Sequence, residues 1–181
     1  MIYIDAGHGA ETPGKRSPDG RFLEWKQNRI IARALVEDLN ARGIPAIMPI
    51  ETDSDTPLSE RTIRFRKLAR RDDIIISIHH NAAAGKWWSN AHGTVVFIAR
   101  NSPHETAAKT LLNTMCAVTG LSSRRGVKRS NFVPIAGMQC LAFLIEVGFM
   151  TNKAEVDRML EPDFPALAAR GIADGIEEVT R

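Results

Sequence analysis

The stretch that decides the fold opens the chain: residues 2–9, IYIDAGHG, join an apolar run directly to a polar, glycine-rich turn. The same arrangement returns at residues 74–81, IIISIHHN, and at residues 141–148, LAFLIEVG. Strands that are apolar without interruption are typical of sheets covered on both faces, and such sheets are mostly parallel. These three segments therefore predict neighbouring buried strands that end in polar residues.

Strand-like and helical patterns alternate along the rest of the chain. The predicted strands span residues 1–5, 45–49, 73–79, 94–99 and 141–146, and the predicted helices span 24–42, 56–70, 103–119, 153–160 and 164–179. This alternation indicates one α/β domain, residues 1–181, with a twisted, mostly parallel sheet and helices on both faces.

The composition narrows the class of protein. Among 181 residues, 44% are hydrophobic and 25% are charged, the balance of an ordinary globular domain. No apolar run approaches the roughly 18 residues that a membrane helix needs, so we expect no membrane insertion. The two cysteines, Cys116 and Cys140, form no CxxC pair, which argues against a disulfide framework or a thiolate zinc site. The net charge of +3 suits an anionic polymer such as a cell wall, while the scattered basic residues argue against nucleic-acid binding.

Ionisable side chains follow three of the predicted strands. His8 follows the first, His79 and His80 end the third, and Glu146 ends the last. Because ligands in open α/β sheets bind outside the carboxyl ends of the strands, we expect these groups to converge at one edge. Each of them taken alone also fits a structural role, as a hydrogen-bonded histidine or as a glutamate paired with an arginine.

Glu24 adds a further ionisable group at this edge. Positions 24, 28, 31, 35 and 39 share one face of the first helix, and the last three are Ile31, Leu35 and Leu39. A carboxylate on that face needs a metal ion or an arginine as partner, unless it only occupies the first helical turn, where the helix dipole favours it. Two imidazoles and one carboxylate form a known catalytic zinc set, and a further carboxylate can then act as general base.

Five segments in chain order resemble the motifs of the zinc-dependent type 3 N-acetylmuramoyl-L-alanine amidases. They are DAGHG at 5–9, Glu24 with Asn28, LSER at 58–61, SIHHN at 77–81 and EVGFMTN at 146–152. The resemblance covers nearly the whole chain. It implies a sheet of about six strands and hydrolysis of the amide bond between N-acetylmuramic acid and L-alanine in peptidoglycan. Residues 17–21, SPDGR, and the Trp87-Trp88 loop resemble the short phage or prophage endolysins of this family.

The resemblance also implies a role for individual residues. The implied ligands of a Zn²⁺ cofactor are His8, Glu24 and His79. Glu146 is the implied catalytic base, which accepts a proton from the attacking water and returns it to the leaving amine. The resemblance selects His79 over His80 and Glu24 over Glu11, two choices that spacing alone leaves open.

Several neighbours of these motifs keep more than one interpretation. His80 stands where the family often has a small residue, and is either a substrate contact or a group behind the ligands. Asp5 either orients a ligand histidine or caps the glycine-rich turn, and Asn81 is either a turn former or a substrate donor. We interpret His92 and His104 as loop or surface residues.

The beginning of the chain bears on where the protein is made. Met1 leads directly into a strand, without the charged and apolar regions of a signal peptide. We expect the protein to be made in the cytoplasm without a signal, unless a leading segment was removed. After release it would act on peptidoglycan as a constitutively active monomer. Another zinc hydrolase of cell-wall material, a peptidase or a carbohydrate deacetylase, would use the same metal set. A catalytically dead wall-binding module is a third interpretation, and Glu146 argues against it.

Overall fold

The computed structural model describes residues 1–180, so Arg181, the end of the predicted domain, lies outside them. The strands are β1 (Ile2–Ala6), β2 (Ala46–Ile47), β3 (Ile74–Asn81), β4 (Val95–Ala99), β5 (Val127–Ser130) and β6 (Leu141–Phe149). The helices are α1 (Glu24–Ala41), α2 (Leu58–Leu68), α3 (Glu105–Thr119), α4 (Lys153–Met159) and α5 (Phe164–Thr180).

All six strands belong to one sheet, in the order β2-β1-β3-β6-β4-β5. Every neighbouring pair is parallel except β4 and β6, which are antiparallel. The predicted α/β sheet of about six mostly parallel strands is therefore confirmed. The pattern of the sequence had shown no strand at β5, because this short edge strand has one apolar residue among four and none of its residues is buried.

The sheet has two covered faces, and the alternation of β1 shows how they are formed. Ile2 and Ile4 point to the larger core, which contains apolar residues of α1, α3 and α5, whereas Tyr3 points to a smaller core with Phe65 of α2. The segment between β5 and β6 completes the smaller core with Ile135. Helices thus lie on both faces, as predicted.

Helix α1 carries the stripe that the sequence predicts. Ile31, Leu35 and Leu39 are buried, and so are Glu24 and Asn28 at the beginning of the same face. The apolar part of the stripe packs into the larger core, so that the first turn is held at the carboxyl end of the parallel strands. Within residues 1–180, no helix combines the length and the apolar character needed to cross a membrane.

Candidate active site

His8 lies in the turn after β1, and its two flanking glycines allow the turn to form. His8 has φ 63°, the left-handed region that an L-residue rarely adopts. A Cβ atom at Gly7 would lie 2.2 Å from Cε1 of His79, and one at Gly9 would lie 2.2 Å from the backbone of Asp55. Only glycine fits at both positions, which gives the Gly-His-Gly sequence a physical reason.

A buried arginine binds this turn through hydrogen bonds. Arg61 of α2 donates from Nη1 to Asp5 Oδ1 at 2.7 Å and to the Ala6 carbonyl at 2.8 Å, and from Nη2 to the His8 carbonyl at 3.0 Å. The second oxygen of Asp5 accepts a hydrogen bond from Ser77 at 2.7 Å. Among residues 1–180, the hydrogen-bond partners of Asp5 are thus Arg61 and Ser77. Of the two roles left open for Asp5, these contacts favour the cap of the glycine-rich turn, because Asp5 fixes the guanidinium that binds the turn.

The register of β3 and β6 brings the next two groups together. His79 pairs with Glu146 in the parallel ladder, so their side chains lie on the same face of the sheet. His80 follows on the opposite face, where its ring packs against Phe22 with centroids 4.8 Å apart. Alternation along one strand thus separates the two adjacent histidines.

Glu24 lies between the two histidines of the cleft. Its Oε1 is 3.3 Å from Nε2 of His8 and 3.4 Å from Nδ1 of His79. The two imidazole rings are perpendicular, with centroids 5.0 Å apart. Each of the three residues offers one ligand atom, and these atoms lie within 4.8 Å of one another.

These distances fit a metal ion. Zinc takes imidazole nitrogen and carboxylate oxygen as ligands, and the donor atoms of the three residues lie within 4.8 Å of one another. The second donor atoms of Glu24 and His79 point to the same conclusion. Oε2 of Glu24 and Nε2 of His79 are buried without a hydrogen-bond partner among the described residues. Since buried polar atoms are normally satisfied, these atoms indicate capacity for a ligand.

Glu24 and His79 each shift the pKa of the other toward the charged form. Burial by itself raises the pKa of Glu24, but hydrogen bonds and charge from His79 and His8 bring that pKa well below its ordinary value. Burial by itself lowers the pKa of His79, whereas its hydrogen bond to Glu24 and the charges of Glu146 and Glu24 raise the pKa above its ordinary value. Glu24 is therefore ionised at neutral pH, as a metal ligand must be.

Glu146 has the opposite electrostatic character. Burial raises its pKa to about 7, against a smaller lowering effect from the charge of His79. Its Oε2 is buried and has no hydrogen-bond partner within residues 1–180. A carboxyl group with a pKa near neutrality can both accept and return a proton, which is the property of a general acid–base group.

His80 supports Glu24 from behind. Its backbone N–H donates to Oε1 of Glu24 at 3.1 Å, and its Nδ1 lies 2.8 Å from Oδ1 of Asn28. Asn28 in turn donates to the carbonyl of Gly7 at 3.0 Å. The residue is 3% exposed, and burial lowers the pKa of its ring to about 4. The burial of His80 argues against a substrate contact, and its hydrogen bonds place it behind Glu24, on the side away from the cleft.

The remaining sequence candidates lie outside this group. Glu11 is exposed and accepts a hydrogen bond from the backbone of Asp55 at 2.8 Å. Oδ1 of Asn81 accepts the N–H of Ala82 at 2.8 Å, which agrees with a turn former. His92 is exposed, and His104 caps the beginning of α3 with non-helical backbone angles. Both cysteines are free thiols.

A cleft of about 300 Å³ opens beside the two histidines and Glu146. One wall is apolar and comes from Leu58 of α2 and from residues 132–134. Lys15 lines the same cleft, with its ammonium 3.9 Å from Oε2 of Glu24. Sequence reasoning had given no role to Lys15 or Arg61. The LSER motif at 58–61 contains Arg61, but the only signal for Lys15 was its place before the SPDGR segment.

Known proteins are similar to this chain in sequence and in fold. A family profile described as N-acetylmuramoyl-L-alanine amidase matches residues 2–178. The chain is 29% identical to the uncharacterized protein YqiI of Bacillus subtilis (strain 168), over 97% of this chain and 82% of YqiI. It is 27% identical to the probable cell wall amidase LytH of Staphylococcus epidermidis, over 98% of this chain but 57% of LytH.

A solved structure with clear sequence similarity has the same fold. The catalytic domain of CwlV, an N-acetylmuramoyl-L-alanine amidase from Bacillus (Paenibacillus) polymyxa var. colistinus, superimposes with a TM-score of 0.87 at 28% identity. The match covers 99% of this chain and 97% of the CwlV domain.

Proposed function

This chain belongs to the type 3 N-acetylmuramoyl-L-alanine amidase family, and we propose that residues 1–181 form a catalytic domain that cleaves the amide bond between N-acetylmuramic acid and L-alanine in peptidoglycan. One observation carries the proposal. Three residues with metal-binding side chains converge beside a cleft, and the neighbouring Glu146 has a pKa raised to about 7.

We propose that His8, Glu24 and His79 hold a zinc ion. When bound, zinc supplies Lewis-acid activation of water and of the substrate carbonyl. The chain prepares this site before any ligand arrives: Arg61 and the two glycines fix the His8 turn, and His80 fixes Glu24. Such preorganisation keeps the ligand atoms in place without further ordering on binding.

Glu146 performs the proton transfers in this proposal. Its carboxylate accepts the proton of the water that attacks the lactyl amide carbon, and its carboxyl group then gives this proton to the amine of the departing L-alanine. The raised pKa suits both proton transfers, because a group with a pKa near 7 is present in its ionised and its protonated form at neutral pH. Hydrolysis leaves a free lactyl carboxylate and a free amino group.

Mass spectrometry of digested peptidoglycan tests the proposed bond. We expect stem peptides with a new N-terminal L-alanine, glycan strands without peptide, and no new reducing sugar ends. Glu146→Gln is the matched inactive control. Cleavage between stem residues, or release of acetate, would show instead a peptidase or a carbohydrate deacetylase using the same metal-binding residues.

We propose further that this activity serves cell-wall lysis of the phage type. The support is the resemblance of the SPDGR segment and the Trp87-Trp88 loop to endolysins of this family, together with the 83% exposure of Trp87. Purified protein should reduce the turbidity of isolated cell walls and lyse cells whose membrane has been opened by a pore-forming protein. Lysis that does not depend on Glu146 would contradict this role.

A further inference from the structure

Lys15 provides positive charge to a cleft whose other wall is apolar. It is the one lysine or arginine among the described residues that line the cleft, and the apolar part of the lining comprises Leu58, Phe132, Val133, Pro134 and Leu144. Its side chain is 38% exposed and therefore reachable from solvent. A ligand in this cleft meets both the apolar wall and the ammonium group.

The ammonium of Lys15 has spare bonding capacity. Its nearest anion is Oε2 of Glu24 at 3.9 Å, which is too long for a hydrogen bond. Across residues 1–180, Nζ of Lys15 donates no hydrogen bond. Among these residues, the ammonium is therefore held only by a long ion pair with Glu24, and its N–H groups can donate to a bound molecule.

The backbone of Lys15 is held in place by the turn that follows it. The carbonyl of Lys15 accepts the N–H of Glu24 at 3.0 Å, and Arg16 forms a β-bridge with Leu23. These contacts close a small hairpin directly before α1. The base of the Lys15 side chain is therefore fixed relative to Glu24, which belongs to the proposed metal site.

The SPDGR segment forms the tip of this hairpin and is crossed by hydrogen bonds of its own. Ser17 donates from its hydroxyl to Asp19 at 2.6 Å, and Asp19 accepts from Nε of Arg21 at 2.8 Å. Arg21 also forms an ion pair with Asp157 of α4. The segment therefore ties the hairpin, and Lys15 with it, to the body of the protein.

We propose that Lys15 determines substrate specificity by binding the α-carboxylate of the second stem residue, the free stem carboxylate nearest to the cleaved bond. This inference rests on the proposed function. The stem is the part of the substrate that combines small apolar side chains with carboxylates, whereas the glycan presents mainly neutral hydroxyl and acetamido groups. A cleft with apolar lining and one ammonium that donates no hydrogen bond within residues 1–180 complements such a peptide, because charge-assisted hydrogen bonds are stronger than neutral ones.

Two soluble muropeptides of equal stem length test the assignment. One carries a free α-carboxylate on the second stem residue, and the other carries a carboxamide at that position. We expect the wild-type enzyme to favour the carboxylate about tenfold in kcat/KM, between the effects of exposed and of buried charge pairs. Lys15→Met should remove this preference by slowing the carboxylate substrate alone, and Lys15→Arg should keep most of it.

The controls separate specificity from other roles of the side chain. Lys26→Met removes an exposed lysine of α1 outside the cleft lining and should keep the wild-type preference. Zinc content and thermal melting of Lys15→Met should match the wild type. Equal cleavage of both muropeptides by the wild type, an equal loss on both in Lys15→Met, or loss of zinc in that variant would overturn the inference. A wild type that cleaves neither muropeptide would overturn the proposed function and this inference with it.

Discussion

Buried carboxylates lie at two places near the carboxyl ends of the parallel strands, and the two places differ in whether the hydrogen bonds of the carboxylate are complete. At the junction of β6 and α4, Glu155 accepts the N–H of Gly93 at 2.8 Å and the N–H of Phe149 at 2.7 Å, one on each oxygen. At the cleft, Glu146 and the adjacent Glu24 each keep one buried oxygen without a hydrogen-bond partner among the described residues. A satisfied buried carboxylate stabilises the fold, whereas an unsatisfied one is costly unless a ligand completes it.

The EVGFMTN motif connects the two places, because it begins at Glu146 and ends at the cap of the helix that carries Glu155. Its first residue, Glu146, faces the cleft, whereas its last, Asn152, caps α4 by accepting the N–H of Glu155 at 3.1 Å. Between them, Gly148 leaves the space occupied by Met159, whose Sδ would lie 2.8 Å from an added Cβ. The first residue of the motif thus faces the cleft with an unsatisfied oxygen, whereas the last anchors the chain through a completed hydrogen bond.

The largest effect is expected for the proposed ligands. His79→Ala or Glu24→Gln should reduce the metal content from about one zinc per chain to near zero and bring amidase activity to background, because each change removes a ligand of a three-residue site. The measurements are metal analysis by mass spectrometry and release of L-alanine amino groups. His92→Ala, and also His80→Ala, should retain zinc. If His80→Ala loses the metal while His79→Ala keeps it, the assignment of the ligands is wrong.

Glu146→Gln should separate chemistry from metal binding. The amide keeps the shape of the side chain but cannot accept the proton, so cleavage should slow at least about 100-fold, or roughly 3 kcal/mol of barrier. The variant should still hold zinc and bind peptidoglycan. Near-full activity would exclude Glu146 as the base, and loss of zinc would identify it as a ligand.

The same carboxyl group should make the stability of the metal-free protein depend on pH. Burial raises the pKa of Glu146 from 4.5 to about 7, so the folded state holds its proton more tightly than the unfolded state. The free energy of unfolding should therefore fall by up to about 3 kcal/mol as pH rises from about 4.5 to about 7. Glu146→Gln should lack this decrease and be more stable than the wild type at pH 8.

Urea unfolding of both proteins from pH 4 to pH 8, after removal of metal by a chelator, measures this difference. Other titrating groups contribute to both curves, so the difference between the two proteins isolates Glu146. A constant difference across this pH range would mean that the carboxyl group has an ordinary pKa.

A substitution at Glu155 should affect stability and leave activity unchanged. Glu155→Gln replaces an oxygen that accepts an N–H with an amide group that cannot, so the variant should lose about 1–3 kcal/mol of unfolding free energy. Zinc content and kcat measured well below the melting temperature should not change. A fall in kcat without a fall in stability would place Glu155 in the catalytic machinery and remove the contrast with Glu146.

Local sequence patterns predicted most of the fold but not every strand. Apolar runs and helical stripes predicted the sheet, the buried face of α1 and the edge at which polar groups collect, because these patterns depend on neighbours a few residues apart. The edge strand β5 was missed, since a strand with exposed sides has no such pattern. Alternation also implies that His79 and His80 face opposite sides, but the sequence alone does not say which side holds the cleft.

The sequence by itself determined the class of fold, the parallel strands with polar ends and, through motif resemblance, the family. The tertiary structure alone decided that Arg61 binds Asp5 across 56 positions, that Lys15 faces the cleft, and that Glu146 has a pKa near 7. The physical reason is the range of the forces involved. Secondary structure follows local periodicity, whereas pairing, burial and pKa depend on groups that only folding brings together.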